Sequence, residues 1–159
     1  MRPHRLQVTA FGAFAEHQDI DLDRLAEEGL FLIHGRTGAG KTTLLDAIVF
    51  ALYGEVGHRG SDRLVSHHVE IGTTPRVELE FTIAGHRYRV TRSPSYVAPK
   101  KGGGTTQKAA SATLVRLEPD GTETVLGSKQ TDVNHEIQSL VGLNHLQFSQ
   151  VMLLPQGRF

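Results

Sequence analysis

Residues 35–42 read Gly-Arg-Thr-Gly-Ala-Gly-Lys-Thr and match the pattern G-x-x-x-x-G-K-[ST] in full. These residue types suit one chemistry, the binding of a polyphosphate. Gly35, Gly38 and Gly40 let the main chain turn tightly and bring its N–H groups against phosphate oxygens. Lys41 supplies a cation for the β- and γ-phosphates. The Thr42 hydroxyl suits the Mg²⁺ that neutralises a nucleoside triphosphate. Arg36, Thr37, Ala39 and Thr43 complete the loop and the helix start, so residues 35–43 form a candidate ATP site. A Rossmann-type dinucleotide site needs G-x-G-x-x-G, which is not in the sequence.

Such a loop works between a strand and a helix. Leu30-Phe31-Leu32-Ile33 reads as a buried strand ahead of it, with His34 as a strand-end packing residue. Residues 43–52 read as a helix ending near Gly54, with Leu44, Leu45, Ile48, Ala51 and Leu52 on one face. Asp46 reads as a surface or helix-stabilising residue with no catalytic role. Residues 5–11 alternate Leu6, Val8 and Ala10 inward, and 19–22 form their partner with Ile20 and Leu22 inward. Residues 55–74 read as loop with room for a short helix.

Further along, 76–83 place Val77, Leu79, Phe81 and Ile83 on one side, and 87–92 return with Tyr88 and Val90 inward and Arg87 and Arg89 outward. Residues 93–111 read as a flexible loop because of Pro94, Pro99 and Gly102-Gly103-Gly104. A second hairpin, 112–118 and 122–126, turns at Pro119-Asp120-Gly121. Thr131 or Asp132 is expected to cap a helix with Val133, Ile137, Leu140 and Val141 on one face, ended by Gly142. Asn144 is expected to cap a short helix through Phe148.

The chain has 159 residues, enough for one domain or one lobe of a larger one, and its hydrophobic share of 38% is ordinary for a chain with a core. No apolar run approaches the ~20 residues of a membrane span, and the start lacks a secretory core. Without cysteine there is no disulfide framework or thiolate metal site. Together these features point to the cytoplasm. Nine histidines invite a metal reading, but none has the i, i+4 spacing of a helical pair beside a carboxylate, and adjacent His67 and His68 would point opposite ways in a strand.

Net charge is zero, with 17 basic and 17 acidic residues, yet residues 81–117 contain no Asp or Glu. Arg87, Arg89, Arg92, Lys100, Lys101 and Lys108 fall in that window and form a candidate DNA-phosphate face without sequence preference. A solvated hairpin face is the alternative.

The ending narrows the reading. An apolar run into Pro155-Gln156-Gly157 stands where ABC-type ATPases carry their Q-loop. With GRTGAGKTTLLDAIVFALYG at 35–54 and FSQVMLLPQGRF at 148–159, the whole chain resembles the SbcC family of DNA-repair ATPases, relatives of the structural-maintenance-of-chromosomes proteins. The resemblance implies an α/β fold: the N-terminal lobe of a split ABC-type P-loop head, with a mixed central sheet and an antiparallel β-subdomain. It implies that 1–159 form that lobe, and that the coiled coil and C-terminal lobe, with signature, Walker B and general base, lie elsewhere. Leu126-Gly127-Ser128-Lys129-Gln130 only superficially resembles the signature and reads as a turn.

The resemblance further implies that Thr42 and Gln156 hold Mg²⁺, that Lys41 and Gln156 serve hydrolysis, and that the isolated chain is inactive. The implied partners are the C-terminal lobe, a second head bound through ATP, an SbcD-type nuclease and DNA, with no membrane. One departure is Phe11-Gly12-Ala13-Phe14, where some relatives carry an arginine near the phosphates. The alternatives are an SMC or RecF-like head, and a non-hydrolysing regulatory module.

Overall fold

The computed structural model of the chain describes residues 1–26, 32–57, 64–67, 69, 72–100 and 102–151. The alternating segments become strands. In chain order they are β1 (Arg2–Thr9), β2 (Gln18–Asp21), β3 (Arg76–Ile83), β4 (His86–Ser93), β5 (Tyr96–Pro99), β6 (Thr105–Lys108), β7 (Ser111–Leu117) and β8 (Glu123–Gly127). The helices are α1 (Leu22–Leu25), α2 (Lys41–Tyr53), α3 (Gln130–Val141) and α4 (His145–Val151).

Six strands form one sheet in the order β2-β1-β3-β4-β7-β8. Register follows the hydrophobic alternation. Leu6 pairs with Leu79, Leu79 with Val90, and Val90 with Leu114, so a row of aliphatic side chains crosses four strands. All four are essentially fully buried. Phe81 and Tyr88 form a neighbouring stacked pair with ring centroids 5.6 Å apart. Against this face lie Ala47, Phe50 and Ala51 of α2 and Val133 and Ile137 of α3, in one continuous core. A one-residue slip would turn every inward side chain outward, so the core itself sets the register.

The α/β class holds, but several details differ from the sequence expectation. Among the described residues every strand pair is antiparallel. The strand expected into the glycine loop is not formed by Leu32 and Ile33, which are irregular and exposed; residues 30 and 31 lie outside the described residues. His34 is likewise exposed rather than packed. The buried face of α2 holds Thr43, Asp46, Ala47, Val49, Phe50, Ala51 and Leu52, whereas Leu45 is exposed. This helix is apolar almost all round, so periodicity alone could not choose a face. Contact with the sheet does.

The expected flexible loop at 93–111 is instead a two-stranded ribbon of β5 and β6. Its turn is closed by the Lys100 N–H donating to Gly104 O at 3.0 Å, with Gly103 and Gly104 at φ +90° and +78°. The glycines that suggested a flexible loop are the ones the turn requires. No helix appears in the described part of 55–74; there Val65 bridges to Phe11.

Helix α3 starts earlier than expected, with Lys129 at its N-cap and no side-chain cap. Its apolar face and its end at Gly142, φ +72°, are as expected. Asn144 caps α4 reciprocally: its Oδ1 accepts from Gln147 N at 2.9 Å, while Gln147 Oε1 accepts from Asn144 N at 3.0 Å. Asn144→Ala should lower stability by about 1 kcal/mol, read as a shift in the urea midpoint with unchanged slope. No shift would show that the cap contributes nothing.

Candidate nucleotide-binding site

The glycine loop runs directly into α2. Gly40 is the N-cap at φ +91°, and the first helical bond runs from Leu44 N to Gly40 O at 3.1 Å. The N–H groups of Lys41, Thr42 and Thr43 therefore precede the helical ladder and point out of the helix start. Ala39 N donates to Arg36 O at 3.1 Å and closes the turn, and Gly38 lies at φ +86°.

A second turn supports this one from beneath. Phe11 and Phe14 exchange both main-chain bonds at 2.9 Å. A Cβ on Gly40 would lie 2.8 Å from Phe14 Cζ, and a Cβ on Gly12 would lie 2.5 Å from Thr43 Cγ2. The turn after β1 thus fits against the helix start with no room for a methyl group at either contact. Thr43 is buried there, so its side chain faces the protein and what it can offer a phosphate is its main-chain N–H.

The Lys41 ammonium donates to Gly35 O at 2.7 Å and to Arg36 O at 2.9 Å, so it spans the curvature of the loop. Arg36, Thr37, Ala39 and Thr42 are exposed, and open space surrounds the position a Cβ would take at Gly38. Outward N–H groups, a cation and the positive end of a helix dipole at an open surface can take a phosphate chain. The exposed Thr42 hydroxyl beside them fits a magnesium ion whose other ligands are phosphate and water oxygens. Among the described residues no group of three or more His, Cys, Asp or Glu could hold a metal ion. Gln156 and its apolar approach lie outside the described residues. Asp46 is buried on α2.

The family model described as an AAA domain matches residues 5–159. The chain belongs to that family. The AAA domain is also 46% identical over 162 residues to the SbcC subunit of the nuclease SbcCD from Vibrio cholerae, covering 100% of this chain and 16% of the relative. Against the SbcC protein from Deinococcus radiodurans it is 39% identical over 163 residues, again covering 100% of this chain and 16% of the relative. The resemblance read from the two end motifs is therefore a homology that covers the whole chain. The chain spans about 16% of the length of the curated relatives it matches. Among solved structures, the SMC head domain from Thermotoga maritima aligns with a TM-score of 0.44 and 20% identity, over 86% of this chain and 42% of that one.

The described basic residues of the candidate DNA-phosphate face separate into three groups. Arg92 is not at the surface: it is 1% exposed, and its guanidinium donates to Ala51 O at 2.8 Å, Leu52 O at 2.9 Å and Asn134 Oδ1 at 2.7 Å. It cannot meet a DNA phosphate from there. The signal was present in the alternation, because residue 92 shares parity with inward Tyr88 and Val90. Burial pulls its pKa down to about 10, so it is still charged at neutral pH. Arg87 and Arg89 do point outward, but into carboxylates. Arg87 Nη2 donates to Glu80 Oε2 at 2.8 Å, and Arg89 pairs with Glu123 and lies 4.0 Å from Glu78. The acid-free window is a property of one segment of sequence; pairing in the sheet sets β3 and β8 carboxylates beside it.

Lys100 and Lys108, on the ribbon, are exposed, and none of the ion pairs among the described residues involves them. Lys101 lies outside the described residues. No described helix is long and apolar enough to cross a membrane. Sequence reading missed Gly12 and Phe14 as the floor of the loop, since nothing in their spacing from residue 40 announces contact.

Proposed function

We propose that this AAA domain is the ATP-binding N-terminal lobe of an SbcC-type DNA-repair ATPase head. The observation that carries the reading is the P-loop itself: N–H groups, Lys41 and Thr42 presented at one open helix start, in a chain aligned over its whole length with SbcC proteins. In this reading Lys41 and the amides of residues 38–43 bind the triphosphate. Thr42 and Gln156 would hold Mg²⁺, which would supply neutralisation of the triphosphate charge. The neutral amide of Gln156 orients the attacking water.

The signature and the general base come from a C-terminal lobe. ATP joins two heads, and hydrolysis releases them, gating an SbcD-type nuclease on DNA ends in the cytoplasm. In this reading the 159-residue chain alone should not turn over ATP. Mg²⁺-dependent turnover by the chain alone, lost in Lys41→Ala, would overturn the half-site assignment.

DNA contact in this proposal belongs to the ribbon lysines Lys100 and Lys108, whose charges are not offset by ion pairs of the kind that hold Arg87 and Arg89, together with Lys101 beside them in the sequence. Replacing the three lysines with Ser in the complete head should weaken duplex binding and flatten the slope of log K against log salt by about 0.9 per lost contact. Replacing Arg87 and Arg89 together should change the slope much less. An unchanged slope in the lysine variant would remove the ribbon from the DNA site and leave the ATPase reading standing.

A further inference from the structure

Helix α2 has a charged anchor at the end remote from the phosphate loop. Two carbonyls of its last turn, those of Ala51 and Leu52, each accept a hydrogen bond from the buried guanidinium of Arg92 on β4. The same guanidinium donates to Asn134 Oδ1 on α3. Gly54 completes the arrangement. It ends the helix at φ +75°, its N–H donates to Phe50 O at 2.7 Å, and a Cβ there would lie 2.8 Å from Arg92 Nη1. The helix end, the sheet and α3 therefore meet around one cation.

The direction of these bonds matters. Carbonyls in the last turn point along the helix axis, so bonds to them resist sliding of the helix lengthwise. The packing contacts at the other end, Thr43 on Gly12 and Gly40 on Phe14, are van der Waals contacts against its side. Helix α2 contains neither Gly nor Pro between Lys41 and Tyr53, so over its length of about 20 Å it moves as a rod. A polyanion at the helix start pulls along the same axis.

We propose that Arg92 and Asn134 form a positioning clamp that sets the axial position of α2, and so the placement of the Lys41–Thr42 end against a bound triphosphate. This inference rests on the nucleotide-binding reading above and adds to it residues on β4 and α3 that do not touch the nucleotide.

The test is Mg²⁺-ATP affinity in the complete head, measured at a temperature where every variant is folded by circular dichroism. Arg92→Met should weaken binding on the order of tenfold, and Arg92→Lys should recover part of the loss, since one ammonium can reach a single carbonyl. Asn134 is exposed on α3, so Asn134→Leu leaves the core intact and tests the clamp even where the arginine variant does not fold. It should weaken binding about fivefold. The double variant should bind no more weakly than Arg92→Met alone, because the two residues act through one contact.

A purely structural role predicts lowered melting temperatures with unchanged affinity in both single variants, and that result would overturn the inference. The failure of the underlying reading looks different: wild-type protein would then show no affinity that Lys41→Ala abolishes.

Discussion

Lys41→Ala should remove measurable Mg²⁺-ATP binding by the complete head while leaving the fold intact. Lys41 is the cation at the helix start, and its ammonium lies 2.7 Å and 2.9 Å from the carbonyls of Gly35 and Arg36. It therefore has two functions in the proposed site. It carries charge to the β- and γ-phosphates, and it spans the loop that presents the N–H groups. Losing one partner of a desolvated charge contact costs about 2–5 kcal/mol, which is about thirtyfold to several-thousandfold in affinity. The side chain is on the first turn of α2, away from the aliphatic row of the sheet, so the urea midpoint should move little. Isothermal titration decides the matter, and equal affinity in variant and wild type would sink the phosphate-loop assignment.

Gly40→Ala should damage both stability and nucleotide affinity, and more than Gly38→Ala does. Both glycines have positive φ, +91° and +86°, and a non-glycine residue held in a sparsely populated region costs about 1–3 kcal/mol. They differ in surroundings. A Cβ on Gly38 meets nothing within 4 Å, whereas one on Gly40 comes within 2.8 Å and 3.0 Å of the Phe14 ring. Overpacking adds about 1–3 kcal/mol, felt directly at the helix start. Adding Phe14→Ala to Gly40→Ala should recover the steric part and leave the φ cost. Equal midpoints for the two glycine variants would mean that Phe14 yields freely and is no part of the loop's support.

Homology to SbcC proteins was legible in two stretches, residues 35–54 and 148–159, because phosphate chemistry dictates residue types at fixed spacing. The strands of the main sheet were legible for a related reason. An antiparallel sheet with one buried face leaves a period of two, and Val77, Leu79, Phe81, Tyr88 and Val90 all fall inward as that period requires. Helix α3 was legible on the same grounds, since its Val133, Ile137, Leu140 and Val141 stand out from a polar remainder. Helix α2 was legible as a helix but not in its orientation, because a nearly uniform apolar surface contains no preferred face.

What the sequence by itself determined, then, is local: the phosphate loop, the strand alternation, the helix ends at Gly54 and Gly142, and the cap at Asn144. The tertiary structure alone decided everything that depends on which side chains meet. Arg87 and Arg89 looked like free cations until register brought Glu80, Glu78 and Glu123 beside them. Arg92 looked like another member of the same patch until the helix carbonyls closed over it. Phe14 became the floor of the phosphate loop only when β1 and α2 packed together. Charge, burial and steric fit are set by distances in space, and separations along the chain do not encode those distances until the sheet has formed.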